Sequence, residues 1–291
     1  LMISQHISRE NICQRGVFFF FPLDRKEMRA YDRRIHFIHI KGENDMERRK
    51  QWLGYFCVIL SAMIFGCMPL GANFLYAQGV TPMTLVFLRN LLSLPILALL
   101  CQKQGGLRIS RGALLETSLT GFFGCWLAPI LLFSSYRYLA SGMATVFHFA
   151  YPVIVVLGGF VLREKVQKSA LFCALLCSFG IILLIDPSGA VDPFGVVLAL
   201  TSGVAYAVYI LLLAHFHHRE VSGFRMSFYM AVVCAVCTFF LCLITGQMHL
   251  PQNAAGWLVA FAFSLTICVG AVVLFQKGTF LIGAQRAAIL S

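Results

Sequence analysis

From Trp52 onward the chain is a succession of apolar runs, each near the length that a helix needs to cross a bilayer. About 20 apolar residues suffice for a hydrocarbon core of about 30 Å. The runs fall at 53–77, 82–101, 112–135, 140–162, 169–185, 193–214, 224–245 and 254–276, and a ninth begins near Gly283 and stops at Ser291. Turn-forming residues separate them: Gly79-Val-Thr-Pro82, Gly105-Gly106, Asp186-Pro-Ser-Gly189 and Pro251-Gln-Asn253. Lipid offers no partner to a backbone N–H or C=O, so a chain of this kind closes its hydrogen bonds within helices. The expected fold is all-α and polytopic.

Composition agrees with a membrane body and sets the N-terminal segment apart from it. The chain is 59% hydrophobic and 12% charged, against about 25% charged in soluble domains. Residues 1–50 hold 11 of the 23 Lys+Arg and 7 of the 12 Asp+Glu. Residues 1–51 are therefore expected to be a non-membrane extension without stable structure. Val17–Leu23 is too short to span, is broken by Pro22 and lacks the features of a signal peptide. Met46-Glu-Arg-Arg-Lys50 reads as a natural bacterial start.

The net charge of +11 does not point to nucleic acid, because the basic residues sit in short connections between apolar runs. With the N-terminus inside, inner segments carry 12 basic residues, from Arg48, Arg49 and Lys50 to Lys277, and outer connections carry only Arg137. That bias predicts a cytoplasmic N-terminus in a bacterial inner membrane. Ten of the 11 Cys lie in or at the edges of apolar stretches, where a thiol is a small apolar group. Cys234–Cys237 forms a lone CxxC with no second pair, and neither a metal nor a cofactor is expected.

Shifted by about 141 residues, the chain aligns with itself. Gly54, Ser61 and Ala62 fall on Gly195, Ser202 and Gly203; Leu132-Phe133 fall on Leu274-Phe275, Leu139 on Leu281 and Ala144 on Arg286. A repeat unit of five spans, an odd number, gives two halves of opposite orientation, the architecture of secondary transporters. The expected units are 52–186 and 192–291. Ten helices are expected, of which about eight and a half are present, so the second unit is expected to be truncated in helix nine.

Four segments resemble one family: Phe87-Leu88-Arg89-Asn90, Tyr151-Pro152-Val153, Leu162-Arg163-Glu164-Lys165 and Gly180-Ile181-Ile182-Leu183-Leu184. They are similar to the drug/metabolite transporter superfamily, proteins with two EamA-type domains of five helices each. The resemblance covers about 52–291 and marks the family without naming a solute. It implies a ten-helix inner-membrane carrier with a central cavity, often coupled to an ion gradient. It also implies that Glu164 matches the family's glutamate before helix five, a helix-terminal structural role.

Depth in the bilayer selects the candidate cavity residues. His148 lies near the midplane, and Pro152 removes the N–H that would bond its carbonyl. Tyr151, Tyr206 and Tyr209 offer rings and hydroxyls at similar depth, and Asn73 and Ser61 are placed alike in the first span. Arg89 lies about two turns into its span, where cavity, structural pairing and outward snorkelling all remain open. Arg286 reads as interfacial, and Glu116 as reaching headgroups or pairing with Arg111 or Lys103. His215-Phe-His217-His218 reads as a solvated basic loop.

The leading expectation is a secondary carrier of small organic solutes (metabolites, amino acids or drug-like molecules) working by alternating access. Its expected partners are the solute, the lipid bilayer and H+ or another coupling ion; a homodimer stays open. Five carboxylates after residue 50 are too few and scattered for an intramembrane enzyme, and a scaffold or channel fits an odd-span repeat poorly. No GxxxxGK[ST] loop supports pumping by nucleotide hydrolysis. Deleting residues 1–45 is expected to leave membrane insertion intact, which fractionation of the deletion variant checks; loss of insertion refutes the reading of that segment.

Overall fold

The computed structural model describes residues 25–162, 191–217 and 221–291, with side chains from Met46, and Phe172, Leu176 and Gly180 as isolated helical positions. The chain divides into two compact units, Leu1–Arg49 and Lys50–Ser291; the cavity and the contacts described below lie within the second. Every regular element among the described residues is helical. Seven helical stretches are long and apolar enough to cross a membrane: Met46–Ala77, Pro82–Lys103, Arg111–Ser135, Ser141–Val161, Pro193–Ala214, Gly223–Thr245 and Ala254–Ile282. The protein is thus a multi-pass, all-α membrane protein. The expected span at 169–185 falls outside the described residues apart from the three positions named.

Helix α1 runs Arg25–Gly66, so residues 25–51 are helical where the sequence suggested no regular structure. The reason is local: Arg, Lys, Glu and Met are good helix formers, and polarity does not weaken that propensity. Large apolar side chains such as Leu115, Leu157, Phe160, Leu243 and Ile244 stand exposed on the outside of the bundle, as a lipid-facing surface requires.

Proline breaks each of the first four spans. Cys67 interrupts the first, between α1 and α2 (Met68–Ala77). Leu92-Ser93 interrupt the second, between α3 (Pro82–Leu91) and α4 (Leu94–Lys103). In the third, a π-helical stretch Phe122–Leu127 separates α5 (Arg111–Gly121) from α6 (Ala128–Ser135). The fourth breaks at Phe149-Ala150, between α7 (Ser141–His148) and α8 (Tyr151–Val161). In each, a proline is the second residue of the downstream segment: Pro69, Pro95, Pro129 and Pro152. A proline lacks the N–H that its residue i−4 carbonyl would accept, which deprives Phe65, Leu91 and His148; Pro129 follows a π-helical register, in which the Ala128 N–H donates to the Phe123 carbonyl. The remaining spans are α9 (Pro193–Ala214), α10 (Gly223–Thr245) and the pair α11 (Ala254–Ser264) and α12 (Val272–Ile282), which flank a second π-helical stretch at Leu265–Ala271. A short α13, Ala284–Leu290, follows Gly283, whose φ of 84° suits glycine.

Like interactions recur at positions 141 to 143 residues apart. Ser61 Oγ donates to the Ala271 carbonyl at 2.9 Å, and Ser202 Oγ to the Ala128 carbonyl at 2.8 Å. Thr81 and Ser222 accept the backbone N–H groups of Thr84 and Arg225 as helix caps, and Ser110 and Asn253 those of Ala113 and Gly256. A Cβ on Gly54 would lie 2.6 Å from Ile282, and one on Gly195 2.8 Å from Leu139. The two π-helical stretches start at Phe122 and Leu265.

Contacts sort the connections into two ends. Thr81 Oγ1 donates to the Gln247 carbonyl at 2.6 Å and Asn253 to Gln78 at 2.6 Å, so connections 78–81 and 246–253 share one end. Tyr136 and Arg137 line the same recess as Gly79, Gln247 and His249. The Tyr136 hydroxyl lies 3.2 Å from Thr145 Oγ1, which itself donates to the Ser141 carbonyl, so the phenol is the donor. Burial pushes that phenol up to about 12 against a smaller opposing effect of the hydrogen bond, and it stays a neutral donor at cellular pH. At the other end, Tyr229 donates to the Leu107 carbonyl and Arg225 to the Arg108 carbonyl.

The closest backbone approach lies mid-bundle, where a Cβ on Gly203 would stand 2.7 Å from the His148 carbonyl oxygen. That atom is main chain and cannot swing away. Gly203→Ala is therefore expected to lower unfolding stability by roughly 1–3 kcal/mol, in the range of overpacked cores. Gly142→Ala, at a position with open space around it, serves as the control. Thermal unfolding of both variants in detergent checks it.

Candidate functional site

The broken segments of the first, third and fourth spans and the middle of α9 surround a cavity of about 90 Å³. Its wall includes Phe65 and Met68 beside the first break, Gly124 and Cys125 in the π-helical stretch, and His148 and Phe149 at the fourth. Arg89, Tyr151, Tyr206 and Tyr209 complete its polar and aromatic lining. Interrupted helices are what allow side chains and main-chain carbonyls to face an interior space at membrane depth.

Arg89 is 3% exposed, so it does not snorkel. An isolated charge at mid-membrane costs about 2.5–3.5 kcal/mol on insertion scales, and the fold offsets this with neutral partners. Nη2 donates to the Cys125 carbonyl at 3.3 Å, in the π-helical stretch just before Pro129. Nη1 faces Met68 Sδ at 4.0 Å, and the guanidinium carbon lies 5.8 Å from the Phe133 ring centroid, a cation–π contact. Nε is buried without a hydrogen-bond partner. Cys234 Sγ also donates to the Cys125 carbonyl, and Asn90 Nδ2 donates to Cys234 Sγ at 3.1 Å. The Cys125 carbonyl thus ties together the second, third and seventh of the predicted spans.

His148 is held from α9. Its Nδ1 lies 2.9 Å from Ser202 Oγ, and that hydroxyl donates its one hydrogen to the Ala128 carbonyl. Nδ1 must therefore be the donor, leaving Nε2 as the remaining polar atom of a ring that lines the cavity. The His148 ring lies 5.5 Å from Tyr151 and 5.3 Å from Tyr206, and Tyr206 lies 4.9 Å from Tyr151 and 5.4 Å from Tyr209. Gly124 makes room for this group, since a Cβ there would overlap the Tyr209 ring. Tyr151 also shares a 2.7 Å hydrogen bond with Ser291 Oγ.

Five of the residues chosen by depth, Arg89, His148, Tyr151, Tyr206 and Tyr209, therefore line one cavity. Pro152 acts from behind the wall by breaking the helix. Asn73 does not join them: it is exposed, and its Nδ2 donates to Ser141 Oγ at 3.0 Å. Depth alone did not reveal which helix face it occupies. Ser61 serves packing through Ala271. Glu116 pairs with neither Arg111 nor Lys103; its carboxylate accepts from the His217 backbone N–H at 3.0 Å and contacts His217 Nδ1 at 2.8 Å. Arg286 is half-buried, with Nη1 3.5 Å from the Tyr55 hydroxyl. Glu164 and His218 fall outside the described residues.

Sequence reasoning missed Gln276, which was taken as the end of its span. It is buried, with Oε1 3.3 Å from Ser227 Oγ and Nε2 3.3 Å from Met230 Sδ. It also passed over Pro69, Pro95 and Pro129, although a proline inside an apolar run is a visible signal.

The chain is similar to known membrane transporters. Residues 52–186 match the EamA-like transporter family. The chain is 25% identical over 273 residues to the uncharacterized transporter YcbK of Bacillus subtilis, covering 87% of this chain and 85% of that protein. An uncharacterized transporter of Synechocystis is 26% identical over 274 residues, 82% of this chain and 81% of its own. One of Archaeoglobus fulgidus is 25% identical over 149 residues, about half of each.

Proposed function

We propose, from the match of residues 52–186 to the EamA-like transporter family and the likeness to uncharacterized transporters, that the chain is a secondary carrier that moves a small organic solute through the cavity beside Arg89 and His148. The observation that carries this reading is the convergence of broken helices on that cavity. Irregular backbone is stable at membrane depth only where it is buried in protein or lines such a space.

In this reading the spans form two five-helix units of opposite orientation, and access alternates as one unit rocks against the other. The recurrence of Ser61–Ala271 as Ser202–Ala128, and of four helix caps at the same spacing, supports it. The N-terminus is cytoplasmic, since Lys103, Arg108, Arg111 and Arg225 lie at or beyond the ends of spans opposite to Arg137. The breaks act as hinges, because a segment without its i−4 hydrogen bond bends at lower cost than an intact helix. His148 contributes an imidazole Nε2 to the solute and is the candidate group for coupling to protons.

The test is uptake of a solute panel by proteoliposomes containing the full chain, with and without a pH gradient. Saturable flux of one solute class is expected. His148→Ala, checked for normal expression and a monodisperse profile, is expected to lower that flux at least tenfold. Normal flux in this variant removes His148 from the site, and linear flux for every solute refutes the carrier cycle.

A further inference from the structure

The cavity holds one cationic side chain and, among the described residues, no carboxylate side chain. Arg89 has five N–H donors, but its hydrogen bonds reach only one carbonyl and one thioether sulfur, and Nε has none. Of the described carboxylates in the membrane body, Glu116 contacts His217, and Asp192 caps α9 by accepting the Phe194 N–H at 2.8 Å. Neither lines the cavity. The other cavity side chains are aromatic, aliphatic, hydroxyl-bearing or sulfur-bearing (Met68 and Cys125), with His148 the only other titratable nitrogen among the described residues.

We propose, building on the carrier reading, that the solute is a monocarboxylate with a flat or aliphatic body and no ammonium group, its carboxylate held by Arg89. Three physical points select this class. A planar guanidinium with unfilled donors matches the two oxygens of a carboxylate. One buried cation is neutralised by one negative charge, whereas a phosphate monoester near −2 would leave net charge in an apolar cavity. An ammonium group would meet no carboxylate side chain among the described lining residues. The rings of Phe149, Tyr151 and Tyr206 give the body of the solute an apolar seat, and His148 Nε2 faces it as a second polar contact.

The test uses the full chain in nanodiscs, with benzoate, inorganic phosphate and L-phenylalanine as probes. Benzoate is expected to raise the unfolding temperature in a concentration-dependent way, and phosphate and phenylalanine are not. Arg89→Lys keeps the charge but loses the fork, and is expected to weaken benzoate binding about tenfold. Arg89→Gln is expected to abolish it. Should the Arg89 variants fail to fold, Ala62→Cys in the cavity wall gives an independent readout: benzoate slows its alkylation by N-ethylmaleimide, followed by mass spectrometry, and phosphate does not.

Binding of phosphate in place of benzoate, or of phenylalanine as tightly as benzoate, overturns the assignment. So does unchanged benzoate binding in Arg89→Gln. Saturable flux of some other solute, with no benzoate binding, sinks this inference and leaves the carrier standing. Absence of saturable flux for every solute, with benzoate binding intact, does the reverse.

Discussion

A main-chain carbonyl beside a proline break organises the centre of this bundle. The Cys125 oxygen lies in the π-helical stretch just before Pro129, and in lipid a carbonyl costs several kcal/mol if left without a donor. Arg89 from α3 and Cys234 from α10 supply donors to it, and Asn90 secures Cys234. A buried charge and a main-chain acceptor thereby satisfy each other in part. At Pro152 the His148 carbonyl is pressed against Gly203 and the His148 ring is held by Ser202. The cavity lies between these two breaks.

Side-chain hydrogen bonds join distant parts of the chain. Ser202 reaches back to Ala128, Ser61 forward to Ala271, and Cys234 back to Cys125. Interactions of one kind therefore recur between segments far apart in sequence, as the proposed inverted units require. They are small, geometrically demanding contacts, in which a hydroxyl or a missing Cβ does what hydrophobic burial cannot do between helices already immersed in lipid.

Hydropathy recovered the spans well because bilayer thickness fixes their length. Pro193–Ala214 coincides with the expected run, and most other ends fall within one or two residues. The eighth span was cut short at Gln276 because a polar side chain resembles an interface until its partners Ser227 and Met230 are known. Depth recovered five cavity residues but misplaced Asn73, since it says nothing of which face a residue occupies. Glu116 and His217 are 101 residues apart, and nothing local joins them. Helix α1 was missed upstream of Trp52 because charged residues were read as irregular, although their intrinsic propensity is helical.

The π-helical stretches at Phe122–Leu127 and Leu265–Ala271 have a consequence for reading either span as a wheel. Each closes a wider turn than an α-helix, which slips the angular phase by about one residue, or about 100°. Leu115 and Leu119, both exposed upstream, and Leu132 and Phe133, both buried downstream, therefore belong to two projections that share an axis but not an origin. A single continuous period drawn through Arg111–Ser135 would point lipid-facing side chains inward over half its length. The extra residue is a phase shifter: it lets one helix show a greasy stripe to the bilayer at one end and present the lining of an internal chamber at the other.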